Sequence, residues 1–286
     1  MKNSVFIKQG SKRVKDISYY AIIAVLSVFT LFCLIVIIAY VMGQGLPHIT
    51  LEFLLDRPRS MGKAGGIFPI IVATLYATAI ALAIACPIGI GAAIFFKEYS
   101  RGGHLVRIIG IFTEVLAGIP SIVFGLFGFA FFVVFLGFGW SVLSGGLTLF
   151  LMILPTIVRS TEESLETVPV SYREGSLSLG ATRWQTTIRV VLPCCIKGIV
   201  TGIILGLGRA VGETAAVILT MGGALRLPAS PFDAGRTMSM HMYILTSEGI
   251  SAEKAYATAG LLILIILVIN SVANLIGKRV GAANSA

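Results

Sequence analysis

Six stretches of this chain, roughly 18–43, 67–96, 106–137, 142–165, 196–223 and 255–277, are apolar, nearly free of charge and about the 20 residues or more that cross a bilayer. Inside hydrocarbon no water satisfies a backbone N–H or C=O, so such segments must hydrogen-bond within themselves, and runs of this length select helices. The composition agrees. Of 286 residues 56% are hydrophobic and only 12% charged, far from a soluble domain. The second and third windows are long, which predicts tilt or kinks, with Pro87 and Pro120 as the kink points.

Charge sets the expected orientation. Lys2, Lys8, Lys12, Arg13 and Lys15 precede the first span, Lys97, Arg101 and Arg107 separate the second from the third, and Arg159, Arg173, Arg183, Arg189 and Lys197 surround the fourth-to-fifth connection. Lys278 and Arg279 follow the last span. The positive-inside rule then puts both termini in the cytoplasm and requires an even number of spans. The sequence therefore predicts an all-α integral membrane protein of six transmembrane helices. Its expected divisions are a cytoplasmic segment 1–17, a first helix 18–43, an extracytoplasmic loop 44–66, a five-helix core 67–279 containing a cytoplasmic loop 166–193, and a tail 280–286. The first helix exceeds the length of a signal-peptide core and lacks a cleavage site after it, so retention is expected.

Several function classes drop out. The net charge of +9 sits beside membrane helices, where topology and anionic headgroups account for it, rather than on a nucleic-acid face. Cys33, Cys86, Cys194 and Cys195 have no CxxC spacing, and His48, His104 and His241 are scattered, so neither a metal nor any other cofactor is implied. An intramembrane enzyme would need converging nucleophile, base or metal ligands that the spans lack. The glycine-rich run Gly206–Thr214 has no P-loop lysine and lies in an apolar helix, so the chain is not expected to bind ATP through a P-loop.

Two places carry chemistry. Within the fifth span, Arg209 and Glu213 stand four residues apart and Thr214 follows; an ionisable pair at that depth is expensive, which marks it as paired, inward-facing and functional. A helical face would bring the two together or present them to a sister subunit, beside close-approach glycines Gly206, Gly208 and Gly212. Arg209 suits an oxyanion as a forked donor, with Glu213 tempering its grip; a purely structural ion pair is the alternative. The second place is the loop 166–193. Pro169 or Ser171 starts a short helix with Glu174 in its first turn, and Gly180 ends it in a left-handed cap. Thr182 caps a second helix, with Trp184, Ile188 and Val191 on one side, before Pro193 opens the next span. Arg159, at the end of span four, either gates this loop or anchors a helix end. The Gly118–Ser121 turn either opens backbone groups to a cavity or simply kinks the third span.

Glu174, Gly180 and the Leu192-Pro193 ending resemble the EAA motif of ABC-importer permeases, met in spacing throughout. Gly175 and Ser176 replace its two alanines, and Val190 its isoleucine. The resemblance implies a type I importer architecture in which Arg173, Glu174, Gly175, Ser176, Gly180, Leu192 and Pro193 couple to an ATPase subunit. A narrower resemblance, to phosphate permeases of the PstA type, rests on Gly65–Tyr76, Pro87–Phe95, Ala117–Gly125, Gly208–Ala215 and Arg236–Met240, and covers about residues 60–280. Ala216 departs from the proline often found there. What this resemblance implies is import of inorganic phosphate across a prokaryotic inner (plasma) membrane. The machine would be a heterodimer with a PstC-like permease, two ATPase subunits and an extracytoplasmic phosphate-binding protein. A molybdate or sulfate permease is the alternative within the same class.

Overall fold

The computed structural model describes residues 3–100 and 103–283; Lys2, Arg101 and the last three residues of the tail lie outside the described residues. Among the described residues, five helices are long and apolar enough to cross a membrane, and a bent pair makes a sixth span when counted as one. Helix α1 (Asn3–Gly45) stands away from the bundle. Its apolar side chains from Tyr19 onward face outward, as lipid allows, and it is held at its C-terminal end. There Tyr40 meets Tyr256 edge-on, with ring centroids 5.8 Å apart, and Gly45 lies so close to the Tyr256 carbonyl that a Cβ has no room.

A short connection follows, with α2 (Leu51–Leu55) capped by Thr50 and a two-residue antiparallel ladder of β1 (Pro58–Arg59) on β2 (Ala64–Gly65). Span two is α3 (Phe68–Ile94), extended by a wide π-type turn, Phe95–Tyr99. Its alanines Ala73, Ala77, Ala81 and Ala85 recur every four residues and are all buried. Small residues on one stripe let a neighbouring backbone approach, which is how helices associate where lipid removes the hydrophobic drive. The neighbour is α6, whose Leu149, Met152, Ile153 and Ile157 join the same cluster. Pro87 lies inside α3, and the helix runs on past it.

Pro120 does more than kink span three. Helix α4 (His104–Gly118) stops, Ile119 and Pro120 are extended, and α5 (Ser121–Gly128) leaves at 104°, continuing as a wide turn Phe129–Phe135. Proline has no N–H to donate and pushes the residue before it out of the helical region. Span four is α6 (Val142–Glu166), whose first N–H groups are taken by loop carbonyls: Val142 N donates to Asp233 O at 2.9 Å and Leu143 N to Pro231 O at 2.8 Å.

After α6 come two short helices, α7 (Val170–Ser178) and α8 (Arg183–Thr186), and then α9 (Leu192–Gly212). A wide turn, Thr187–Val191, joins α8 to α9, so the expected separate second helix is instead the first part of a continuous 30-residue helix, Arg183–Gly212. On α9 the glycines Gly198 and Gly202 face Ser164 and Ser160 of α6. Ser160 Oγ donates to Gly198 O at 3.1 Å and Ser164 Oγ to Cys195 O at 3.0 Å. Span five was expected as one helix over 196–223. The structure breaks it: α9 ends at Gly212, Glu213 is extended, and α10 (Ala215–Thr220) resumes. A loop folds back to α11 (Met238–Ser247), and α12 (Ala252–Ala283) completes the bundle.

Candidate functional site

The loop between spans four and five forms the first short helix that its residues predict, and the bend after it leads straight into the long helix Arg183–Gly212 rather than into a second short one. Gly180 adopts φ +84°, a conformation that costs an L-side chain strain, and so ends α7. Thr182 Oγ1 accepts from Gln185 N at 3.3 Å while Gln185 Oε1 accepts from Thr182 N at 2.9 Å, a reciprocal capping box that starts α8. Two details differ from expectation. Helix α7 begins right after Pro169 and has no acidic residue in its first turn, so Glu174 lies in the second turn and faces out. Val191 is buried, whereas Trp184 and Ile188 are exposed, so the three do not share one environment.

No residue of α7 is buried. Tyr172, Glu174, Leu177, Leu179 and, on α8, Trp184 are instead all exposed. Gly175 has open space where a Cβ would stand, so nothing within this chain requires glycine there. Ser176 Oγ and Thr186 Oγ1, 2.9 Å apart, fasten α7 to α8. Arg173 points inward. Its Nε and Nη2 reach Glu98 at 2.7–3.1 Å, and Nη1 and Nη2 donate to Val168 O and Leu165 O at 2.8 and 3.0 Å. The hydrogen bonds to Glu98 hold the guanidinium above its usual pKa. Beside it Lys97 pairs with Glu166. Leu192 and Pro193 open α9 just past the wide turn Thr187–Val191, so the proline lies inside the continuous helix Arg183–Gly212. Arg159 contacts Glu163 at 3.3 Å and Glu114 of α4 at 3.6 Å, all three side chains more than half exposed, and α6 runs on past it to Glu166.

The second place is the break in span five. Arg209 occupies the last turn of α9, half-buried, and has no ion pair among the described residues. The expected pairing with Glu213 does not form because the helix ends between them: Glu213 has ψ 132°, and its Oε1 accepts from Ala216 N at 3.1 Å, capping α10. The Glu213 carbonyl accepts from Ser239 Oγ of α11. Thr214 sits half-buried at the turn. Beyond it α10 crosses α5, the other resumed half-helix, so tightly that a Cβ on Gly125 would lie 2.9 Å from Ala216 Cα. Two interrupted helices thus meet at this end of the bundle.

Sequence reasoning passed over a buried polar group nearby. Arg236 is more than nine-tenths buried; its Nε donates to Gly223 O at 2.9 Å and its Nη1 lies 3.4 Å from His241 Nδ1. His241 is fully buried, its Nε2 has no partner, and Gly62, at φ +98°, leaves it space that a Cβ would occupy 2.6 Å from Cε1. Burial, and then the Arg236 charge, push the imidazole pKa down to about 3, so it is neutral. The available signal was Thr237 as an N-cap directly after an arginine in an otherwise apolar stretch.

A family described as "Binding-protein-dependent transport system inner membrane component" matches residues 85–282. "Probable ABC transporter permease protein YqgI" of Bacillus subtilis is 32% identical over 263 residues, 86% of this chain and 90% of that protein. "Phosphate transport system permease protein PstA 1" of Mycobacterium tuberculosis is 36% identical over 217 residues, 74% of this chain and 71% of the relative. PstC 1 of Mycobacterium bovis is 35% identical over 244 residues, 74% and 72% of the two chains. Among solved structures, a bacterial ABC transporter for alginate superposes with TM-score 0.67 at 18% identity, covering 93% of this chain and 98% of that one. The MetNI methionine transporter gives 0.61 at 22%, covering 75% and 94%. Both establish the fold.

Proposed function

The chain belongs to the family of binding-protein-dependent transport system inner membrane components, multi-pass permease subunits of ABC importers rather than enzymes, and from that premise we propose that it is one half of the path of an ATP-driven inorganic phosphate importer. The break in span five carries the reading. It leaves a half-buried guanidinium, Arg209, with no ion-pair partner among the described residues. A phosphate cannot enter hydrocarbon unescorted, and a guanidinium matches two of its oxygens with parallel N–H donors. Glu213 holds the break in shape by capping α10, and Thr214, half-buried at the turn, is read as part of the route. Interrupted helices whose ends face a pathway are a recurrent solution in transporters. The PstA and PstC relatives favour phosphate as the substrate and support a heterodimer with a PstC-like permease, fed by an extracytoplasmic phosphate-binding protein.

Energy enters through the loop 166–193, taken as cytoplasmic with both termini inside. Its exposed face with Glu174 sits in a cleft of one ATPase subunit, and the loop of the PstC-like permease sits in that of the second. Arg173, Gly175, Ser176, Gly180, Leu192 and Pro193 shape and orient that face. The test is phosphate uptake by proteoliposomes holding the assembled complex, with and without internal ATP and with sulfate or molybdate as competitors. ATP-dependent uptake that resists both competitors and is lost in Arg209→Gln supports the reading. Uptake abolished by sulfate or molybdate moves the substrate, and an assembled Arg209→Gln complex with intact uptake removes Arg209 from the path.

A further inference from the structure

We propose that Glu98, at the end of span two, is the positioning residue through which the coupling loop moves that span, its carboxylate and the Arg173 guanidinium acting as a forked tie. The inference rests on the loop's role as the ATPase contact. Helix α7 is continuous in the chain with α6 on one side and, through α8, with α9 on the other, so a push on α7 reaches spans four and five along the backbone. Span two lies some seventy residues earlier and has no such link. A displacement reaches it only through contact, and α7 has no buried side chain with which to grip the bundle.

What α7 has is Arg173. Among the described residues its bond to Glu98 is the only ion pair that α7 makes. The side chains are 22% and 10% exposed, so water neither screens the tie nor readily replaces it. Two nitrogens engage both carboxylate oxygens, a geometry that resists sliding as well as separation. The remaining donors reach Leu165 O and Val168 O, which fixes the guanidinium against the end of α6. Glu98 itself projects from the wide turn Phe95–Tyr99, and such turns interrupt regular helices most often at functional positions. Its neighbour Lys97 binds Glu166, so the end of span two is charge-linked both to span four and to the coupling helix.

The experiment uses the complete complex in proteoliposomes and reads two quantities. One is phosphate imported per ATP hydrolysed; the other is the ATP-dependent change in hydrogen exchange of the 86–99 segment, which needs no assumption about substrate. Glu98→Gln should keep ATPase activity within about twofold, cut import per ATP by about fivefold or more, and erase the exchange change at 86–99 while preserving that in the loop. The exchanged pair, Glu98→Arg with Arg173→Glu, should recover part of both. Wild-type import and exchange in Glu98→Gln would overturn the proposal, as would a wild-type complex with no ATP-dependent change at 86–99. So would failure of both Glu98→Gln and the exchanged pair to assemble, since a pair needed only for folding transmits nothing. A wild-type complex that shows the exchange change yet imports no phosphate refutes the substrate assignment, and the exchange comparison still decides the role of Glu98.

Discussion

Replacing His241 by asparagine should flatten the acid side of this protein's stability profile by an amount that its surroundings set. The imidazole lies on α11, outside the spanning helices, against the Arg236 guanidinium and with one nitrogen unpartnered. Its pKa is about 3 in the folded chain, against an ordinary value of 6.5. Between those values the unfolded chain binds a proton that the folded chain refuses, so stability rises with pH there. His241 therefore costs nothing above its ordinary pKa and weakens the fold increasingly as the pH drops towards 3. At about pH 5 the gap from the ordinary value is about 1.5 units, and at 1.36 kcal/mol per unit the loss is about 2 kcal/mol. Unfolding free energies from SDS titration in mixed micelles, at about pH 7.5 and about pH 5, would measure it. The wild type should lose about 2 kcal/mol more than His241→Asn over that interval, whatever the offset between the two proteins. Parallel losses would show that His241 can take up a proton in the folded state and would refute the argument from burial.

Gly198→Ala sets a methyl onto Ser164 Oγ and 2.7 Å from its Cβ; overpacking of this kind costs about 1–3 kcal/mol, read by the same titration. Thr182→Ala removes one half of the capping box, about 1 kcal/mol, and should raise hydrogen exchange over Arg183–Thr186 about fivefold without changing the bundle. Arg159→Ala should shift stability by no more than about 1 kcal/mol and leave uptake at wild-type rate, because its ion pairs are exposed. A tenfold fall in uptake would assign Arg159 to gating instead.

Features encoded within a few residues were legible in the sequence. Gly180 and the Thr182 cap need only their neighbours, and the loop folds as they dictate. Pro120 marks its own break, although the 104° of the bend comes from how α5 packs on α10 and α6. The break at Glu213 carries no such mark. The Gly206–Thr214 segment reads as continuous helix, and it is Ser239 of α11 and the first turn of α10 that claim the groups a helix would have used. The partner of Arg173 was equally hidden, since Glu98 is distant in sequence and only the folded bundle brings the two together. His241 looked ordinary because burial is set by Gly62 and Arg236, on two separate loops.

The wide turn at Thr187–Val191 makes the loop and span five one rod of 30 residues, about 45 Å long at 1.5 Å per residue. A rod carries torsion as well as thrust. The wide turn and Pro193 are the places along it where a twist imposed at Arg183 is absorbed before it reaches Arg209. The glycines Gly198 and Gly202 lie along the seam with α6, where a Cβ would catch on Ser164 and Ser160 as the shaft turned. On the role proposed for Arg209, ATP consumed beneath the loop would act on an anion one membrane-depth away by aiming a guanidinium, and the stiffness of the joint from Thr187 to Pro193 would set how much of the turn arrives.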